Sequence, residues 1–290
     1  MKIRQHLFLT LILLVTIDSF AGGPWPQSKG KGYFKLAEWW MVADQHFTDT
    51  GLKDPNITAG LFNTSIYAEY GLTNRLTGMV YFPFFSRSLF NNQISGTTGE
   101  LIKVGEALNS IGDADLTIKY GLTRADAVVP MSLSLVLGLP LGEVGGGSEN
   151  ALQTGDGEFN QMIRMDIGKS PNTGKLALYV SSYLAFNNRT NDFSDEVRSG
   201  IEVGGAIMQR KLWLIGRLDR LWSLKNGLPS GSNPTASIFA NNAAFLNVGV
   251  EVNGYLTDQL GVSAGITAPL TGEIIYAAPA YSVGVFYDMR

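Results

Sequence analysis

The feature that most constrains this chain is a strict period of two. From Val128 to Gly142, Met131, Leu133, Leu135, Leu137, Leu139 and Leu141 fall on one face. Ser132, Ser134, Val136, Gly138 and Pro140 fall on the other. Side chains alternate across a β-strand, so such a segment reads as a strand and not as a helix. Leucine on one side with small or polar residues on the other is the pattern of a strand that meets lipid outside and a lumen inside.

The pattern recurs along the chain. Phe62, Thr64, Ile66, Ala68 and Tyr70 oppose Asn63, Ser65, Tyr67 and Glu69. Leu116, Ile118 and Tyr120 oppose Asp115, Thr117 and Lys119; Ile163, Met165 and Ile167 oppose Arg164 and Asp166. Leu212, Leu214 and Leu218 oppose Trp213, Ile215, Arg217 and Asp219. Leu246, Val248, Val250 and Val252 oppose Asn247, Glu251 and Asn253. The polar faces are sparsely charged and mixed in sign, which suits a lumen better than bulk water.

Turn chemistry divides these segments. Short turns are expected near Thr73–Arg75, Thr123–Asp126, Pro171–Thr173, Gln209–Lys211 and Thr257–Gln259, from Asn, Asp, Gly, Pro and Ser content. Longer loops are expected at Ala43–Asn56, Arg87–Ser110, Glu143–Gly157, Asn188–Val197, Asn226–Asn241 and Thr271–Glu273. Five turns and six loops in alternation predict an all-β, antiparallel, up-and-down transmembrane barrel of about twelve strands, with short periplasmic turns and longer outer loops. The phrase YGLT at Tyr70–Thr73 and Tyr120–Thr123, and its near copy GYLT at Gly254–Thr257, then mark strand ends. Aromatics at Trp39, Trp40, Tyr70, Phe82, Phe84, Phe85, Tyr120, Trp222, Tyr255, Tyr281 and Tyr287 are expected to form the interfacial girdles.

The first 21 residues read as a signal peptide. Lys2 and Arg4 precede the apolar run Leu7–Ile17, and Ser19-Phe20-Ala21 supplies small residues for cleavage after Ala21. Export to the outer membrane follows, with residues 22–290 as one barrel. The net charge of −3 offers no basic footprint for nucleic acid. Cysteine is absent, which excludes disulfides and thiol chemistry. Lipid, lipopolysaccharide and small solutes are the expected partners.

The segment IGDADLTIKYGLT, Ile111–Thr123, resembles the Gly-Asp…Lys-Tyr strand of outer-membrane transporters grouped under the phenol meta-degradation pathway. Ser110 stands where that family usually has glycine. GPWPQSKGKGYFKL, Gly23–Leu36, is similar to the start of XagA-like exported proteins of Bacteroidetes. The resemblance implies an outer-membrane barrel with a transport role, for solutes that include hydrophobic or aromatic ones. It supplies no catalytic residues.

An enzyme needs more than the residues offer. Past Ala21 the histidine is His46, in a loop, so a Ser-His pair has a single candidate base. Asp44, Asp49 and Asp54 are oxygen ligands that could hold calcium loosely, but at no recognised cage spacing. No cofactor, metal or catalytic site is assigned. What remains is the polar face: Glu69, Asp113, Asp115, Lys119, Arg164, Asp166, Glu202, Arg217, Asp219 and Glu251. Ionisable groups inside a membrane protein mark pathways or pairs. Seven acids against three bases predict a weak cation preference if the lumen is open. A hairpin centred on Gln209-Arg210 sets Glu202 opposite Arg217. The main reading is a channel or transporter with a polar lumen. The alternatives are a closed structural or adhesion barrel acting through its outer loops and, further off, an outer-membrane enzyme.

Overall fold

A computed structural model describes residues 22–56, 58–124, 126–171, 177–228 and 237–289. The expected signal peptide and the Asn172–Thr173 part of the third turn lie outside the described residues.

Twelve antiparallel strands form the wall: β1 Gly32–Ala43, β2 Ala59–Gly71, β3 Leu76–Phe90, and β4 in two pieces, Glu106–Ser110 and Ala114–Gly121. Then come β5 Met131–Leu139, β6 Asn160–Lys169, β7 Ala177–Asn188, β8 Glu196–Ile207, β9 Leu212–Ser223, β10 Ala244–Tyr255, β11 Leu260–Glu273 and β12 Ala280–Met289. Each pairs with its sequence neighbour, and β1 also pairs with β12, from Gly32↔Met289 to Met41↔Ala280. The sheet therefore has no free edge, as a spanning sheet requires. No helix among the described residues is long and apolar enough to cross a membrane.

The alternation sorts the faces as expected. Leu135 lies between Ile118 and Ile163 on neighbouring strands, and all three point outward and exposed. Ser132 and Ser134 point inward and are buried. The expected loop Arg87–Ser110 is shorter than predicted. Ser86↔Ser110 through Phe90↔Glu106 extend the β3–β4 hairpin, leaving 91–105 as its tip. Here polar residues occupy both faces, so the alternation signal fades while the ladder continues. The strand β11 likewise runs through Glu273, and its connection is 274–279. Pro83 lacks an N–H, and β4 breaks beside it, with Gly112 N–H donating to the Pro83 carbonyl at 2.8 Å.

Two aromatics assigned to the girdles face the other way. Trp39 lines the interior. Tyr255 packs edge-on against Phe286, with ring centroids 5.0 Å apart, and its hydroxyl donates to Asp288 at 2.8 Å. The cause is a one-residue swap. YGLT puts tyrosine outward and glycine inward at Tyr70-Gly71 and Tyr120-Gly121. GYLT reverses them at Gly254-Tyr255, because side-chain direction flips with each residue.

Candidate functional site: the barrel lumen

The wall encloses a cavity of about 590 Å³. Its charged residues sit where the period-two pattern turns every second side chain inward. Eight of the ten expected residues line it: Glu69, Asp115, Lys119, Arg164, Asp166, Glu202, Arg217 and Glu251.

Arg217 is the hub of one wall. Its Nε donates to Glu202 Oε2 at 2.5 Å and its Nη1 to Glu251 Oε2 at 2.8 Å. Glu202 and Arg217 are direct cross-strand partners, as the turn-centred hairpin predicts. Tyr179 donates its hydroxyl to Glu202 Oε1 at 2.6 Å, and Lys35 Nζ reaches Glu251 Oε1 at 3.3 Å. On another stretch of wall, Arg164 grips Asp166 with Nη2 at 2.7 Å and lies 3.8 Å from the centre of the Tyr183 ring. Glu69 is fully buried and accepts from the Tyr67 hydroxyl and from Gln27 Nε2 at 3.2 Å.

The other two expected residues do other work. Asp219 accepts from the Tyr183 hydroxyl at 2.9 Å, holding the ring beneath Arg164, and does not line the cavity. Asp113 sits at the long-loop end and accepts the backbone N–H groups of Gly142 and Asp156 at 2.8 and 2.9 Å. It pins the 140–159 loop inward. The loop's far side is clamped by Arg189, which ion-pairs with Asp156 at 3.0 Å, with Glu196 at 2.8 Å and with Glu158. Burial pushes the Asp156 carboxyl up to about 7, with Glu158 adding to the rise against the pull of Arg189.

Sequence reasoning missed Lys35 and the aromatic lining. The alternation in GYFKLAEWW places Tyr33, Lys35, Ala37 and Trp39 on one face, and all four line the cavity. Arg210 does so from a turn. The lining thus holds five acids (Glu69, Asp115, Asp166, Glu202, Glu251) and five bases (Lys35, Lys119, Arg164, Arg210, Arg217). The charge excess behind the expected cation preference disappears.

Also missed is a strap across the short-turn end, Gly22–Lys31. Pro24, Trp25, Pro26 and Gln27 are buried. Trp25 meets Tyr179 edge-on at 5.8 Å and clusters with Ala206 and Trp213. At the opposite wall, Gln27 N–H donates to Thr77 Oγ1 at 2.8 Å and Gly30 N–H to the Gly71 carbonyl at 2.9 Å. Three inward glycines make room. A Cβ at Gly71 would lie 2.1 Å from the Ser28 carbonyl oxygen. One at Gly121 or Gly168 would lie 2.7 Å from Pro26 or Pro24 Cγ. The signal was present in YGLT, where glycine faces in beneath the strap; in GYLT the inward residue is Tyr255, which packs against the Trp25 cluster.

Comparison with known proteins agrees on the architecture. No family model matches the chain, and no curated protein matches it. Among solved structures it is similar to an outer-membrane channel from Pseudomonas putida F1, at 16% identity and a TM-score of 0.62, covering 93% of this chain and 100% of that one. It is also similar to the transport unit of the autotransporter AIDA-I from Escherichia coli, at 9% identity and a TM-score of 0.51, covering 90% and 91%. The protein thus has the closed, antiparallel twelve-stranded fold of an outer-membrane β-barrel.

Proposed function

We propose that the protein is an outer-membrane channel or transporter that passes small solutes through its polar lumen. The observation that carries this reading is the cavity itself, walled by wired charges and by Tyr33, Tyr67, Tyr81, Tyr179 and Tyr255. Charges held against the wall leave the centre to the solute, and tyrosine offers both a ring face and a hydroxyl to an amphipathic or aromatic passenger. The similarity to a solved outer-membrane channel supports the same reading, as does the resemblance of Ile111–Thr123 to phenol-pathway transporters. Short turns then face the periplasm, long loops face outward next to lipopolysaccharide, and an N-terminal signal directs export.

The strap and the inward 140–159 loop favour a second reading, a closed barrel acting through its outer loops. Single-channel recording of the refolded protein in planar bilayers separates the two. Discrete conductance steps are expected. Silence across ±150 mV, about the range a bilayer tolerates and worth roughly 3.5 kcal/mol per charge, would leave the closed-barrel reading in possession.

A further inference from the structure

Within the lumen one cation stands apart. Lys35, Arg164 and Arg217 are all tied to carboxylates. The ammonium of Lys119 makes no ion pair or hydrogen bond among the described residues, although the residue is only 3% exposed and lines the cavity. Ser134 is its direct partner on β5, and Arg164 is the direct partner of Ser134 on β6. Ser134 Oγ and the neighbouring Ser132 Oγ are both buried without a hydrogen-bond partner. Asp166, the carboxylate next in this row, is taken up by Arg164. Glu69 accepts from Tyr67 and Gln27 instead.

An ammonium that lines the lumen without a counter-ion leaves its charge to a solute, and a buried hydroxyl without a partner is costly. Lys119 and Ser134 are directly opposed across neighbouring strands, about 5 Å apart, and both are donors that face the lumen without an acceptor. We propose that Lys119, with Ser134, forms a carboxylate-binding subsite in the lumen wall, which takes the carboxylate of a small monoanionic solute. One carboxylate oxygen accepts from the ammonium and the other from the Ser134 hydroxyl. A single ammonium without an ion pair matches the one charge of a monoanion better than the two of a dianion. The tyrosines opposite receive the remainder of the solute. The site deepens the channel reading, and its part in transport rests on that reading; its binding of a carboxylate does not.

The test uses the whole refolded barrel in detergent, with acetate as the probe and saturation-transfer NMR as the readout. Wild type should give an acetate signal. Lys119→Gln should weaken it about tenfold, the scale of one hydrogen bond to a charged group, while Lys119→Arg keeps most of it and Lys53→Gln, outside the cavity lining, leaves it as in wild type. Heat-modifiable gel migration reports folding of each variant. If Lys119→Gln does not fold, Ser134→Ala takes its place and should lower the signal severalfold. Equal signals from wild type and the folded variant would overturn the proposal. Equal losses in Lys119→Gln and Lys53→Gln would overturn it too, by showing a diffuse field and no site. Stronger displacement of acetate by inorganic phosphate than by formate would overturn the monocarboxylate assignment. Conductance is recorded separately. Acetate binding in a silent barrel supports the subsite and sinks the channel reading, and conductance without binding does the reverse.

Discussion

Removing Arg217 should expose how the lumen wall is wired. The guanidinium makes charge-assisted bonds to Glu202 at 2.5 Å and Glu251 at 2.8 Å, with side chains 35, 23 and 15% exposed. Breaking a fully buried ion pair by removing one partner costs roughly 3–5 kcal/mol. An exposed pair contributes about 0–1 kcal/mol. Partial exposure places this site between the two limits. Both carboxylates also keep a second donor, since Glu202 retains the Tyr179 hydroxyl and Glu251 retains Lys35. Arg217→Ala should therefore cost about 2 kcal/mol, nearer the middle of those limits. Much of that cost is the mutual approach of two carboxylates left without the cation between them. Adding Glu202→Ala removes one of them and should restore about 1 kcal/mol, a coupling typical of residues in one network. The assay is a double-mutant cycle on urea unfolding in lipid vesicles, followed by gel migration. Strictly additive effects would mean that the two side chains do not interact in the folded barrel, and would refute the wiring.

Three further outcomes are expected. Leu135→Arg, an outward position between Ile118 and Ile163, should cost about 2–4 kcal/mol in vesicles if it lies at the bilayer midplane; a neutral result would put that face out of contact with lipid. Gly121→Ala should push the strap off its seat, because the new Cβ falls 2.7 Å from Pro26 Cγ. Faster tryptic cleavage after Lys29 and Lys31 would report this, and an unchanged rate would mean that the strap is not held there. The clamp on the 140–159 loop should loosen as pH rises. An Asp156 carboxyl raised from 3.8 to about 7 holds a proton in the folded state that the unfolded chain has released. Stability is then fullest below about pH 4 and falls through pH 7. Hydrogen exchange across residues 142–158, corrected for intrinsic rate, should be faster at pH 8 than at pH 5.5, and Asp156→Asn should flatten the difference.

How much of this was written in the sequence varies with the range of the interaction. The wall was legible because period two is enforced residue by residue. Leu133, Leu135 and Ile163 point outward, and Ser134 and Arg164 inward, as the alternation requires. The Glu202–Arg217 pairing was legible too, since a four-residue turn fixes the register of its hairpin. Lys35 could have been read from GYFKLAEWW but was masked by its aromatic neighbours, which resemble a girdle. The roles of Asp113 and the strap were not legible. Asp113 bonds Gly142 and Asp156, which lie 29 and 43 positions away. Trp25 finds Tyr179 and Trp213 across the barrel. No local periodicity encodes contacts of that span.

The strap has a consequence for the order in which the molecule can be built. Its ten residues precede β1, yet Trp25 rests on a floor supplied by β7, β8 and β9, and its other end is held by β2 and β3. None of those docking points exists when the segment first emerges. Contacts so distant in sequence must wait until the intervening chain has found its place, since closing long loops comes before their reward. The first part of the barrel domain to be synthesised therefore cannot settle before β9 is in place. Until β9 is in the wall, the short-turn end of the lumen has no strap seated across it.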